Sequence, residues 1–230
     1  MKNRKEEEAE IRPYASPPCL MHEMSADYQQ LAVSSDWETV RTWRRRQRKR
    51  LIARRRSLSK TEQHRCSKKI DEYLESEPKY CHGCIGFYWP MDGEIDLRPL
   101  MQIFSDRGVD LALPAIVEKD QPMEFWAWDA KTRMRNQETW KIPVPIERRL
   151  MVPSVLFVPL LGFDRHGYRL GHGGGNYDRT LASLEHKPLT VGIGYDFARL
   201  ETIHPQDHDV AMDLIVTERG FVRPCCMAPF

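Results

Sequence analysis

The stretch Cys84-Ile85-Gly86-Phe87-Tyr88-Trp89 reads as a buried strand, and Val109-Asp110-Leu111-Ala112-Leu113 reads as another. Between them Leu97, Leu100, Met101 and Phe104 recur at helical spacing, with Gly108 placed to stop the helix. A strand, a helix and a second strand in succession imply parallel pairing, because the helix carries the chain back to the end of the sheet where the first strand began. Further short apolar runs follow at Met123 to Trp128, Val155 to Val158, Val191 to Tyr195 and Leu214 to Val216. The expectation is an α/β fold with a mainly parallel central sheet flanked by helices.

Upstream, a helical segment starts near Asp36 and runs through Arg41 to Arg56, where arginine and lysine dominate. Ser59-Lys60-Thr61-Glu62 then has the form of a capping box, and Cys66, Ile70, Tyr73 and Leu74 give the helix it opens one apolar face, ended by Pro78. Residues 1–35 mix a charge run with Tyr14-Ala15-Ser16-Pro17-Pro18 and show no sustained period. They read as an extension without a core of its own, set before an α/β domain at residues 36–230.

A length of 230 residues suffices for one full α/β core. Hydrophobic residues at 41% and charged residues at 30% are ordinary globular values, and no apolar run approaches the roughly 18–20 residues of a membrane span. The charged start, MKNRKEEEAE, lacks the apolar core of a secretory signal, which predicts a cytoplasmic protein with reduced thiols and no membrane partner. Its cysteines, Cys19, Cys66, Cys81, Cys84, Cys225 and Cys226, show no framework spacing. A net charge of +2 hides the local positive field of the arginine helix, which could serve nucleic acid, an anionic ligand or solvation alone. No paired aromatics beside it supply the stacking platform of a dedicated RNA binder, so nucleic acid is not the expected partner.

The stretch with most chemistry is Leu161-Gly162-Phe163-Asp164-Arg165-His166-Gly167-Tyr168-Arg169-Leu170-Gly171-His172-Gly173-Gly174-Gly175-Asn176-Tyr177-Asp178. It follows one strand and precedes a short helix at Tyr177 to Leu184. Glycines permit positive φ and let backbone N–H groups converge, and a helix N-terminus adds partial positive charge, so the stretch suits a phosphate. A flexible turn that needed small residues is the plain alternative. The pattern is neither a Walker A sequence nor a G-x-G-x-x-G fingerprint.

The same stretch resembles the signature of the 5-formyltetrahydrofolate cyclo-ligase family. An aromatic-Asp pair and an Arg-Leu-Gly step lead there into a glycine run ending in Tyr-Asp. Family-like segments stand in the same order elsewhere: the basic helix, Tyr88-Trp89-Pro90-Met91-Asp92-Gly93-Glu94-Ile95-Asp96, and His208-Asp209-Val210-Ala211-Met212-Asp213-Leu214-Ile215-Val216-Thr217. The resemblance covers roughly residues 36 to 221. It implies a three-layer fold of the type shared with sugar-phosphate isomerases and CoA transferases. It also implies an ATP-driven conversion of 5-formyltetrahydrofolate to 5,10-methenyltetrahydrofolate in the presence of Mg²⁺, by a monomer that takes small-molecule substrates only. A diverged paralogue with another substrate, and a non-catalytic folate, nucleotide or RNA binder, are the alternatives.

Residue by residue, the resemblance implies that Arg44 and Arg48, four apart on one helical face, reach the ATP phosphates together with Arg169, Gly171, His172, Gly173, Gly174, Gly175 and Tyr177. Arg44 stands where the family usually has Lys. Trp89, Glu94, His172 and Asn176 would hold the folate, with Glu94 bonding the pterin, and Glu94 and Arg169 would be the catalytic pair. Asp178 and Asp209 would be the magnesium-side carboxylates, with Asp213 structural. Asn176 replaces an aromatic that could stack on folate; its amide can instead bond a ligand or tolerate a left-handed backbone. His204 and His208 are read as loop residues, and Cys81-His82-Gly83-Cys84 lacks the second ligand pair a zinc site needs.

Overall fold

The computed structural model describes residues 36–77, 80, 83–137 and 142–225. The expectations for residues 1–35, for Pro78 as a helix stop, and for Cys19, Cys81, His82 and Cys226 lie outside them. The chain divides after Trp43. The described part of the first unit is the opening of α1 (Trp37–Arg56), where Asp36 accepts a hydrogen bond from the Thr39 amide at 3.2 Å.

The second unit carries the rest. Helix α2 (Lys60–Glu75) begins with the capping box read from the sequence: Ser59 Oγ accepts from the Glu62 amide, and the Glu62 carboxylate accepts from the Ser59 amide. Strand β1 (Cys84–Gly86), helix α3 (Arg98–Asp106) and strand β2 (Asp110–Ala115) form the expected crossover, with β1 and β2 parallel and Cys84 opposite Asp110. Gly108 takes φ +83 just past α3, as a helix stop requires.

Strands β3 (Glu124–Trp128), β6 (Val155–Pro159), β9 (Leu189–Ile193), β10 (Leu214–Thr217) and β11 (Gly220–Val222) complete a seven-stranded sheet in the order β11-β10-β9-β6-β1-β2-β3. The five central strands run parallel, and β3 and β11 close the two edges antiparallel. Alternate residues along the strands, Ile85, Leu111, Leu113, Val155, Phe157, Val191, Ile193, Leu214 and Val216, share one core with Ile70 and Leu74 of α2 and Leu100, Met101 and Phe104 of α3. The strands end earlier than expected: beyond β1 and β9 the amides of Phe87 and Gly194 still bond to the Ala112 and Val216 carbonyls, and Tyr88 to Trp89 and Tyr195 continue as loops.

Two small hairpins did not register as apolar runs: β4 (Met134–Asn136) with β5 (Pro143–Pro145), and β7 (Gly162–Phe163) with β8 (Arg169–Leu170). The second is the stem of the glycine-rich arm. Its turn is held by buried Asp164, which accepts from the His166 and Tyr168 amides and, across the fold, from Ile203 N. Helix α4 spans Asn176–Ser183, one residue earlier at each end than expected.

Candidate active site at the switch point of the sheet

Going from β1 to β2 the sheet grows in one direction, and from β6 through β9 to β10 it grows in the other. Neighbouring loops therefore part between β1 and β6 at their C-terminal ends, where open α/β sheets bind ligands. The loop after β1 presents Tyr88, Trp89 and Glu94, and the loop after β6 presents the glycine arm. Tyr195, just past β9, donates from its hydroxyl to the Gly93 carbonyl at 2.9 Å and ties the β9 and β1 loops together.

Glu94 is the junction. Its carboxylate accepts from the Met91 amide at 3.0 Å, lies 3.1 Å from His172 Nε2 in the glycine arm, and lies 3.5 Å from Arg55 Nη1. Only 7% of its side chain is exposed. Trp89 lies half-buried under the Arg98 guanidinium, 4.8 Å from its ring centroid, and Asp96 grips Arg98 through two hydrogen bonds. Burial, with Glu94's charge beside it, pushes the Tyr177 phenol well above its usual range, so Tyr177 stays neutral.

The other half of the site is cationic. Arg48 donates from Nε to the Gly171 carbonyl at 2.7 Å, and its guanidinium lies so close to Gly173 that a Cβ there would meet Cζ at 3.3 Å. Gly173 also has φ +99, so both the arm's path and the arginine's approach require glycine. Burial, then the like charge of Arg44, lowers Arg48's affinity for its proton. Arg44 is buried and donates to both oxygens of Asp209 and to the carbonyls of Ile203 and His204. Arg169 pairs with Asp178 at 3.0 Å and lies over the Tyr177 ring, and Asp178 also accepts from the Val210 amide. Four arginines (44, 48, 55 and 169) thus face three carboxylates (94, 178 and 209), which favours an anionic ligand.

A model of the 5-formyltetrahydrofolate cyclo-ligase family matches residues 40–218. The chain belongs to this family. A Haemophilus influenzae 5-formyltetrahydrofolate cyclo-ligase is 28% identical over 181 residues, covering 70% of this chain and 91% of the relative. The NMR structure of Aquifex aeolicus 5,10-methenyltetrahydrofolate synthetase superimposes with a TM-score of 0.70 at 28% identity, over 81% of this chain and 95% of its own. A Mycoplasma pneumoniae 5,10-methenyltetrahydrofolate synthetase gives 0.63 at 25% identity, over 76% and 98%.

Within this cyclo-ligase fold, Arg48, Gly171, His172, Gly173 and Glu94 form one continuous set of contacts, and Arg169, Tyr177 and Asp178 form a second around the start of α4. Arg44 and Asp209 hold each other. Asn176 does not take the left-handed backbone that is one reading of it. It sits in the first turn of α4 while Gly175 takes the left-handed φ of +66, and its side-chain Oδ1 accepts from Arg179 Nη2 at 2.7 Å. The same Arg179 nitrogen donates to the Gly174 carbonyl, so Asn176 and Arg179 close the glycine run from below. Asp213 is structural, accepting from the Thr190 amide and hydroxyl. His204 holds a strained φ of +53, and burial with the Arg44 charge lowers its pKa.

Arg55, Tyr195 and Arg179 were absent from the expected site. A signal for Arg55 existed: 44, 48, 51 and 55 follow one helical face, and only the arginine on that face is buried while Arg54 and Arg56 are exposed. A separate cleft of about 610 Å³, lined by His166, Tyr168, Met212, Phe221 and Arg223 among others, holds none of the expected site residues. Among the described residues no group of three or more His, Cys, Asp or Glu side chains could hold a metal, and no helix is long and apolar enough to cross a membrane.

Proposed function

We propose that this chain converts 5-formyltetrahydrofolate to 5,10-methenyltetrahydrofolate at the expense of ATP, as its family name and its relatives' names indicate. The observation that carries the reading is the meeting of two half-sites on the glycine arm. Arg48 lies against Gly171 and Gly173, while Glu94 reaches His172 between them. A phosphate chain on the Arg48 side and a donor-rich pterin on the Glu94 side would bring the γ-phosphate and the formyl group together over His172. The formyl oxygen attacks phosphorus and ADP leaves. N10 then attacks the formyl carbon and loses its proton, and the C–O bond breaks to release phosphate.

The residues' work is positioning and charge compensation. Arg48 and Arg169 stabilise phosphate oxygens as charge moves from the γ-phosphoryl group towards the leaving ADP. Backbone N–H groups of Gly173 to Gly175 and the start of α4 add to that field. Glu94 fixes the pterin by accepting from its donors, and Trp89 supplies an apolar wall. Mg²⁺, when bound with ATP, would neutralise charge between the β- and γ-phosphates. Asp178, with one oxygen on Arg169 and the other on the Val210 amide, keeps lone pairs on both and is more open than Asp209, with 18% against 8% of the side chain exposed, so it fits as a carboxylate for the ion. Asp209 has both oxygens bonded to Arg44 and one to the Gln206 amide, and its role is to aim Arg44. The reading extends to a cytoplasmic monomer acting on small molecules.

Calorimetry with each ligand separately tests the division of the site. Glu94→Gln should weaken 5-formyltetrahydrofolate binding about tenfold and leave ATP binding within about twofold, the loss expected for a hydrogen bond to a charged acceptor. Equal loss of both ligands would contradict it.

A further inference from the structure

Arg55 is the one member of the Arg54-Arg55-Arg56 run that is buried, with 2% of its side chain exposed. A guanidinium taken out of water is costly unless it is fully paired, so its partners indicate why it is there. Nη2 donates to the Leu160 carbonyl at 2.8 Å, at the C-terminal end of β6. Nη1 lies 3.5 Å from Glu94 Oε1 and has no hydrogen bond of its own. The guanidinium carbon stands 6.0 Å from the Tyr195 ring centroid. The side-chain stem passes under the β1 loop, where a Cβ on Gly93 would meet Arg55 Cγ at 3.3 Å, and Gly93 takes φ +76.

One cation therefore touches the loops after β1, β6 and β9. It approaches the carboxylate on the oxygen that His172 shares, while the other oxygen is held by the Met91 amide. Glu94 is held by one hydrogen bond from its own loop, the Met91 amide, and by two contacts from elsewhere in the fold, His172 Nε2 at 3.1 Å and the Arg55 guanidinium at 3.5 Å. A carboxylate has about four lone-pair sites, so room is left on it for donors of a ligand.

We propose that Arg55 is a positioning residue for the folate half of the site: it holds Glu94 and the Gly93 turn in the orientation that meets the pterin. This rests on the reading of Glu94 as the pterin acceptor. With 2% of its side chain exposed and Glu94 between it and the glycine arm's His172, Arg55 would act through Glu94. A residue that only braced the fold would act on both substrates alike.

The test is a double-mutant cycle on the full chain with Arg55→Met and Glu94→Gln, read as kcat/KM for 5-formyltetrahydrofolate and KM for ATP, with thermal melts as the folding check. Arg55→Met should lower folate kcat/KM roughly tenfold to a hundredfold, the scale of a misplaced reactive group, and change KM for ATP less than about threefold. In the Glu94→Gln background the same substitution should cost no more than about twofold, because nothing remains for Arg55 to aim. Arg55→Lys, which keeps the charge, should recover part of the loss and also serves if Arg55→Met does not fold. If Glu94→Gln leaves folate kinetics unchanged, the reading of Glu94 fails and takes the proposal with it. If Glu94→Gln impairs folate use but Arg55→Met adds its full cost on top, or raises KM for both substrates equally, the proposal alone is overturned.

Discussion

Arg48 meets the glycine arm twice, through the Gly171 carbonyl and through the face of Gly173, and it leaves N–H groups beyond Nε for a ligand. Arg48→Ala should raise KM for ATP roughly tenfold or more, since hydrogen bonds between charged groups are worth about 1.5–3 kcal/mol, with KM for folate nearly constant. Steady-state kinetics on the variant checks this, and unchanged ATP kinetics would remove Arg48 from the site. The glycine arm could be read from sequence because glycine runs between a strand and a helix are a local signal, whereas Arg44 and Arg48 are picked out of an arginine-rich helix by the family resemblance, their spacing adding only that they share a face. The burial of Arg55, the pairing of Arg44 with Asp209 and the grip of Arg179 on Gly174 depend on contacts across the fold, to which local spacing is blind. Asn176 shows the limit most directly: an amide suited to a left-handed backbone sits in a helical turn because Gly175 beside it takes that conformation more cheaply.

Helices α2 and α3 were legible because caps, stop glycines and apolar spacing are encoded within a few residues. The β4–β5 and β7–β8 hairpins were not: two of the three residues of β5, Pro143 and Pro145, are of a type depleted in strands, and β7 and β8 are two residues each. Helix α2 also holds a carboxylate that works against the fold. Burial, then the charges of Asp96, Glu75 and Glu72, raises the Asp71 pKa to about 7. In the unfolded chain the group titrates near the ordinary value of about 3.9. Between those values the folded state keeps the proton and the unfolded state has lost it, so stability falls as pH rises from about 4 to about 7 and is level above. Asp71→Asn should remove this decline, making the protein more stable than wild type by about 1 kcal/mol or more near pH 8 and by little near pH 4. Urea unfolding at the two pH values measures it. An identical difference at both would show that Asp71 titrates normally.

For the whole molecule, the parallel order β10-β9-β6-β1-β2 sets the reversal of loops between β1 and β6, and the two half-sites lie at that reversal. The sequence supported parallel pairing through one crossover, but strand order across the sheet is a long-range property that no single segment encodes. Residues 1–35 precede the family match, which begins at residue 40, and their composition offers no core. Deleting them should preserve turnover; a truncated protein that folds but is inactive would show that they complete the site. The central claim is that this cyclo-ligase-family chain closes the folate ring with ATP. It is tested most directly by mixing the purified chain with ATP, Mg²⁺ and 5-formyltetrahydrofolate and following the absorbance of the methenyl product. The account predicts product formation that requires ATP and releases one phosphate for each methenyl group formed. A folded protein that binds both ligands yet forms no methenyl product would contradict it.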